Sequence, residues 1–142
     1  MVDEREGELA RRYRELDAAA RDAVRGPETL RPDILLTFDY AYPERRSEVL
    51  IESEEFTAVC PWSGLPDFGT LRIRYVPERL LLELKSLKYY LLGFRSVGLV
   101  QEHAAARILE DLVAALEPRS LELELVYRVR GGLLTSVRLQ YP

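Results

Sequence analysis

Asparagine is missing from this chain, and cysteine, histidine and tryptophan each occur once. One cysteine, Cys60, excludes an intramolecular disulfide and any cysteine-rich zinc site, and implies a reducing, cytoplasmic setting. One histidine, His103, cannot build a multi-histidine zinc centre, so no metal is expected. No apolar run approaches the roughly 20 residues that span a bilayer, so no membrane partner is expected. Positive charge is not in excess either. Twenty Lys and Arg against 24 Asp and Glu leave a net charge of −4, so no basic field advertises a nucleic-acid partner. The N-terminus, MVDEREGELARRYRELDAAARD, is charged throughout and is no signal peptide. Scarce amide side chains with abundant Glu and Arg lean towards a thermophilic origin.

What is present suffices for one domain. A chain of 142 residues, 47% apolar and 31% charged, buries a core without disulfide or metal staples. Leu9, Tyr13 and Leu16 recur at helical spacing and predict an amphipathic helix from about Asp3 to Val24, ended by Gly26-Pro27. We assign residues 1–30 to this helix and a linker, and residues 31–142 to a single domain. DILLTFDYAYP reads as extended and EVLIES as a short strand. In TLRIRYVP, Leu71, Ile73 and Tyr75 alternate with Arg72 and Arg74, which predicts a half-buried strand stopped by Pro77. RLLLEL reads as its returning partner, with Pro77-Glu78 as the turn. Leu87, Tyr90, Leu91 and Phe94 then fit a helix, and Ile108, Leu112, Ala115 and Leu116 a second one closed by Pro118. SLELELVYRV and LLTSVRLQY alternate again around Gly131-Gly132. The expected fold is α+β: an antiparallel four-stranded sheet with two antiparallel helices on one face. Its two open edges invite pairing between copies.

Two segments carry chemistry. CPWSGLPDF places the thiol of Cys60 seven residues ahead of Asp67, with Pro61, Gly64 and Pro66 between them arguing against regular structure. On residues alone Cys60 reads equally as a buried structural thiol or as a nucleophile needing a partner, and Asp67 is the nearest carboxylate. ELKSLKYY sets Lys85 and Lys88 one above the other at the start of a helix. A lysine pair there is often only a solvated face, but next to the thiol loop it reads as a phosphate site.

The two segments together resemble the QueF family, the NADPH-dependent 7-cyano-7-deazaguanine reductases. Cys60, Pro61, Ser63, Gly64, Pro66, Asp67 and Phe68 match the family loop. Glu83, Leu84, Lys85, Ser86, Lys88, Tyr89 and Tyr90 match its lysine signature, and Arg130-Gly131-Gly132 its Arg-Gly-Gly. The similarity runs from about Phe56 to the C-terminus and leaves the first 30 residues uncovered. The resemblance implies the tunnelling fold (T-fold), whose subunits assemble into barrels with active sites between chains, here a pentamer or decamer. It implies a four-electron reduction of a nitrile to a primary amine in queuosine biosynthesis. Cys60 would form a thioimide, Asp67 would handle the proton, and Lys85, Ser86, Lys88 and Arg130 would bind NADPH. Leu82, Glu83, Leu84 and Glu102 would contact the heterocycle, together with Gln101, which stands where the family usually has His. His103, one position later, reads as surface helix.

Other readings remain distinguishable. Pterin enzymes of the same fold need zinc and several histidines. An archaeal amidine-forming relative shares the thioimide chemistry, acts on tRNA-bound substrate and lacks the lysine signature. A non-catalytic ligand-binding oligomer would show neither nicotinamide oxidation nor a covalent adduct.

Overall fold

The computed structural model describes residues 3–142. It opens with helix α1, Glu4–Asp22. The Asp3 carboxylate accepts a hydrogen bond from the Arg5 N–H, and Glu4 and Glu6 favour the positive end of the helix. The helix forms as expected, but no residue of it is buried. Leu9, Tyr13 and Leu16 are 54%, 61% and 64% exposed.

Strands β2 (Val49–Val59), β3 (Pro66–Val76), β5 (Ser120–Tyr127) and β6 (Ser136–Tyr141) form one antiparallel sheet in the order β2-β3-β5-β6. The strand count agrees with the sequence reading; the membership does not. RLLLEL is not the partner of TLRIRYVP. Both sides of β3 are already taken, by β2 and by β5. After Pro77 the chain leaves the sheet, and β4 (Leu80–Leu82) pairs instead with β1 (Thr37–Asp39) in a separate two-stranded ladder. It is tied back to β3 by a hydrogen bond from the Leu82 N–H to the Tyr75 hydroxyl at 3.1 Å. The short strand EVLIES extends through to Val59, with a bulge between Ser53 and Phe56. Pro66 and Asp67 belong to β3 and not to the preceding loop.

The sheet alternation divides two environments. Leu71, Ile73, Tyr75, Leu121, Leu123, Leu125 and Tyr127 point into the core, each at most 2% exposed. Arg72, Arg74, Glu122 and Glu124 occupy the opposite face. Helices α2 (Leu84–Leu92) and α3 (Gln101–Leu116) cover the apolar side, contributing Leu87 and Tyr90, then Ala104, Ala105, Ile108, Leu112 and Leu116. Glu117, at φ 46°, ends α3 ahead of Pro118.

Candidate active site

Cys60 sits where β2 runs out. Its N–H donates to the Leu65 carbonyl at 2.9 Å, and its carbonyl accepts from the Gly64 N–H at 2.8 Å, closing a tight turn. Gly64 adopts φ +73°, and a Cβ there would lie 2.2 Å from the Ala20 carbonyl oxygen. Only glycine permits both that backbone and that approach. The C-terminal end of α1 is therefore packed against the thiol turn. On the other side Gly98 approaches Pro61 and Val24 closely enough that a Cβ would meet them at 3.0 Å and 2.5 Å. The turn is clamped between α1 and the segment leading into α3.

The thiol of Cys60 is held below its ordinary pKa. The Ser63 hydroxyl is the main cause, donating to the sulfur, with help from the backbone N–H groups of Ser63 and Trp62; burial and the Asp67 carboxylate act in the opposite direction. Ser63 entered the sequence reading only as a motif match. Its chemical role depends on a turn geometry that spacing does not reveal.

Asp67 lies opposite Ala58 across the β2–β3 ladder. Its side chain is 13% exposed and pairs with the Arg130 guanidinium at 3.2 Å. Since Ala58 faces the core, Asp67 faces the same side, just beneath the turn that carries Cys60. Asp67 is near enough to the thiol for its charge to act on Cys60. Arg130 stands here too: its guanidinium lies 4.8 Å from the centre of the Tyr127 ring, and it reaches Gln101 Oε1 at 3.4 Å. The Tyr127 hydroxyl is buried without a hydrogen-bond partner among the described residues. Burial raises its pKa, as does Asp67, while Arg130 lowers it and Glu102 raises it, so the phenol stays protonated.

Gln101 and Glu102 divide at the start of α3. Gln101 is 3% exposed. Its Nε2 donates to the carbonyls of Leu125 at 2.9 Å and Thr135 at 2.8 Å, so both amide hydrogens are used inside the protein. That corrects the reading of Gln101 as a substrate contact: the side chain ties α3 to β5 and to the start of β6. Glu102 is exposed, and no protein partner among the described residues takes its carboxylate. His103 is exposed, as expected.

The lysine segment is only partly free for a ligand. Glu83 caps α2. One carboxylate oxygen accepts from the Lys85 N–H at 2.9 Å and the other from the Ser86 N–H at 2.7 Å. These two backbone bonds, the Lys85 one first, hold its pKa below the usual carboxylate value. Ser86 is 4% exposed. Its hydroxyl donates to the Glu83 carbonyl at 2.7 Å and accepts from the Leu36 N–H at 3.0 Å. Leu82 is buried in the core, whereas Leu84 is 52% exposed. Lys85 and Lys88, the only two lysines in the chain, are exposed on α2.

Lys88 and Arg95 border a groove beside the bulge of β2, lined also by Glu54, Phe56, Thr57 and Leu91. No residue of the turn from Cys60 to Leu65 lines it. Of the lysine pair only Lys88 lines this groove. Among the described residues no cluster of three His, Cys, Asp or Glu side chains could hold a metal, and no helix is long and apolar enough to cross a membrane.

Residues 66–142 match the family described as QueF-like protein. The chain is 48% identical over 118 residues to a protein of Caldicellulosiruptor bescii named NADPH-dependent 7-cyano-7-deazaguanine reductase, covering 83% of this chain and 90% of that one. A protein of the same name from Pelodictyon phaeoclathratiforme is 49% identical over 112 residues, 79% of this chain and 97% of the other. The fold is similar to the crystal structure of the archaeosine synthase QueF-Like in the apo form, with a TM-score of 0.63 at 22% identity, over 68% of this chain and 94% of that one. The architecture is thus the α+β T-fold.

Proposed function

From the premise that this chain belongs to the QueF family, we propose that it is an NADPH-dependent oxidoreductase reducing the nitrile 7-cyano-7-deazaguanine to 7-aminomethyl-7-deazaguanine, in the cytoplasm and in the service of tRNA modification. The observation that carries the reading is the thiol of Cys60, held below its ordinary pKa in a turn clamped against α1, with the Asp67 carboxylate near enough to act on it.

A nitrile carbon is a modest electrophile and calls for an activated nucleophile. Ser63 and two backbone N–H groups lower the pKa of the Cys60 thiol, so that it gives up its proton more readily as the sulfur attacks. Attack forms the S–C bond, and Asp67 passes the thiol proton to the nitrile nitrogen, giving a thioimide on Cys60. NADPH, when bound, supplies two hydrides in succession. After the first hydride reaches carbon, the C–S bond breaks, the electron pair returns to Cys60 as thiolate, and an imine remains. The second hydride and a solvent proton complete the amine. The net balance is two hydrides and two protons added across C≡N. The clamped turn keeps sulfur and carboxylate in register throughout.

Glu102, exposed and unpaired, accepts hydrogen bonds from the guanine-like N–H edge, and Leu84 lies along the heterocycle. Lys85 and Lys88 hold cofactor phosphate. The α2 N-terminal turn and a groove of about 540 Å³ suit a nucleotide. Glu83 and Ser86 act indirectly, by ordering that turn. Arg130 serves the anion site from the far side of its ion pair with Asp67. The working unit is a homo-oligomer with sites between chains, a reading supported by the two open edges of the sheet.

The test is direct. Purified protein is mixed with the nitrile and NADPH, nicotinamide absorbance is followed, and intact mass is recorded without cofactor. Two NADPH oxidised per nitrile, and a one-substrate adduct lost in Cys60→Ala, are expected. An adduct without oxidation would assign the amidine-forming chemistry instead, and neither signal would leave a binding protein.

A further inference from the structure

Tyr127 lies beneath the candidate site with its polar atom left over. The residue is 0% exposed, and its hydroxyl has no hydrogen-bond partner among the described residues. A phenol buried in this way gives up its bonds to water and gains none in return. A phenylalanine would fill the same space without that loss. The link between Tyr127 and the site therefore runs through its ring.

That ring lies across the sheet. Tyr127 ends β5 opposite Gly69 of β3, and Phe56 of β2 stands opposite the same glycine from the other side. A Cβ on Gly69 would come within 2.7 Å of Tyr127 Cδ1, so the missing side chain is what admits the ring over β3. The Phe56 and Tyr127 rings meet there, with centroids 6.3 Å apart and planes 18° from parallel. Phe56 packs in turn on Phe94 at 5.4 Å. The Tyr127 ring is thus held by the core.

Against this ring rests the guanidinium of Arg130, 4.8 Å from its centre. Arg130 belongs to a hairpin whose backbone bonds to Leu133 in both directions at 3.0 Å, and its side chain is 44% exposed. A long exposed side chain resists being kept in one place, because it loses rotamer freedom. A planar guanidinium laid against an aromatic face is kept there by cation–π attraction and contact. From that place its two arms divide. Nη1 meets Asp67 Oδ1 at 3.2 Å, and Nη2 donates to Gln101 Oε1 at 3.4 Å. Gln101 is itself locked by the carbonyls of Leu125 and Thr135.

Resting on the reductase reading above, we propose that Tyr127 is a positioning residue for the proton transfer: its ring holds the Arg130 guanidinium against Oδ1 of Asp67, leaving Oδ2 to take the Cys60 proton. The S–H bond breaks as the S–C bond forms. The proton passes to Oδ2 and then to the nitrile nitrogen, which carries the electron pair of the opened C≡N π bond. Arg130 keeps its charge throughout, and Tyr127 exchanges no proton. Without the ring the guanidinium has no face to rest on, and the carboxylate turns about its broad terminal torsion. Neither oxygen is then presented in a fixed direction.

The test compares wild type with Tyr127→Leu, Tyr127→Phe, Arg130→Ala and the double variant Tyr127→Leu with Arg130→Ala. Three quantities are read: the rate of nitrile adduct formation by intact mass without NADPH, the rate of Cys60 alkylation by iodoacetamide, and Tm. Alkylation is run at a pH where the thiol is ionised in every variant. It needs no proton delivered to a nitrogen, so it reports the turn apart from the transfer. Tyr127→Leu should slow adduct formation roughly 10- to 100-fold, the scale of a misplaced reacting group, with alkylation unchanged. Tyr127→Phe restores the ring and should restore the rate, at a Tm no lower than that of wild type. Arg130→Ala should slow the adduct as Tyr127→Leu does, and the double variant should be no slower than Arg130→Ala. Tyr127→Phe as slow as Tyr127→Leu would move the role to the hydroxyl. A double variant slower by the full Tyr127→Leu factor would separate Tyr127 from Arg130. Alkylation falling in step with adduct formation would leave Tyr127 holding the fold only. Each of these overturns the inference, as does Arg130→Ala at the wild-type adduct rate, which needs no Tyr127 variant to fold. A wild type that forms no adduct overturns the reductase reading itself.

Discussion

Replacing Gly64 by alanine tests whether α1 and the thiol turn act as one mechanical unit. The added methyl would sit 2.2 Å from the Ala20 carbonyl oxygen and 2.6 Å from its carbon, at a backbone φ of +73°. A carbon and a carbonyl oxygen rest at roughly 3.3 Å or more, so turn and helix must separate by about 1 Å. Left-handed backbone costs an alanine roughly 1–2 kcal/mol. Forcing a methyl against fixed backbone adds roughly 1–3 kcal/mol. The sum, about 2–5 kcal/mol, lowers Tm by about 5–15 °C in a domain of this size. An offset of about 1 Å at a reacting atom also costs on the order of 100-fold in rate. Thermal unfolding by circular dichroism reads the first quantity, and the rate of nitrile adduct formation by mass spectrometry reads the second. In a chain beginning at residue 24 the collision partner is gone, so the same substitution should cost only the roughly 1–2 kcal/mol of backbone strain. Gly64→Ala with unchanged Tm and adduct rate would refute the clamp. An equal penalty in the shortened chain would place the strain entirely within the turn.

Ser63→Ala removes the main donor to the sulfur. Because that donor lowers the thiol pKa, its loss should move the pH midpoint of Cys60 alkylation upward, and Cys60, as the sole thiol, is the only site reporting. A midpoint that stays or falls contradicts the assignment. The linkage follows the same sign: a depressed thiol stabilises the fold above its unfolded pKa, and that contribution fades as pH falls through the folded value. Lys85→Ala and Lys88→Ala should each raise KM for NADPH several-fold and leave KM for the nitrile nearly unchanged; equal effects on both would remove the phosphate role. Gln101→Leu takes one donor from the Leu125 carbonyl and one from the Thr135 carbonyl, which keeps the Tyr127 N–H, so Tm should fall by a few degrees while nitrile affinity in a Cys60→Ala background persists. Lost affinity at unchanged Tm would instead make Gln101 a substrate contact.

Local chemistry made much of this protein legible from sequence. Strict alternation in Leu71 to Tyr75 and in Leu121 to Tyr127 defined two central strands, because a sheet with one buried face imposes a period of two. Helical spacing and the breakers after Phe94 and Leu116 bounded two helices. The lone cysteine, the carboxylate seven residues on and the paired lysines identified the family. Partnership was another matter. RLLLEL has the pattern of a strand, but a pattern does not say which edge is vacant; β3 was already flanked, so the segment paired with Thr37–Asp39. Gln101 looked like a ligand contact because of its place beside Glu102, yet its donors are consumed by carbonyls 24 and 34 residues away. Ser86 was likewise enclosed by a long-range bond, from the N–H of Leu36. Ser63 gained its role from a turn clamped by Ala20, and Arg130 met Asp67 only through the register of three strands. Residue type and spacing report what a side chain can do. Which hydrogen bonds are already spent, and which strand edges remain open, depends on contacts between segments distant in the chain, and the tertiary structure alone decided those.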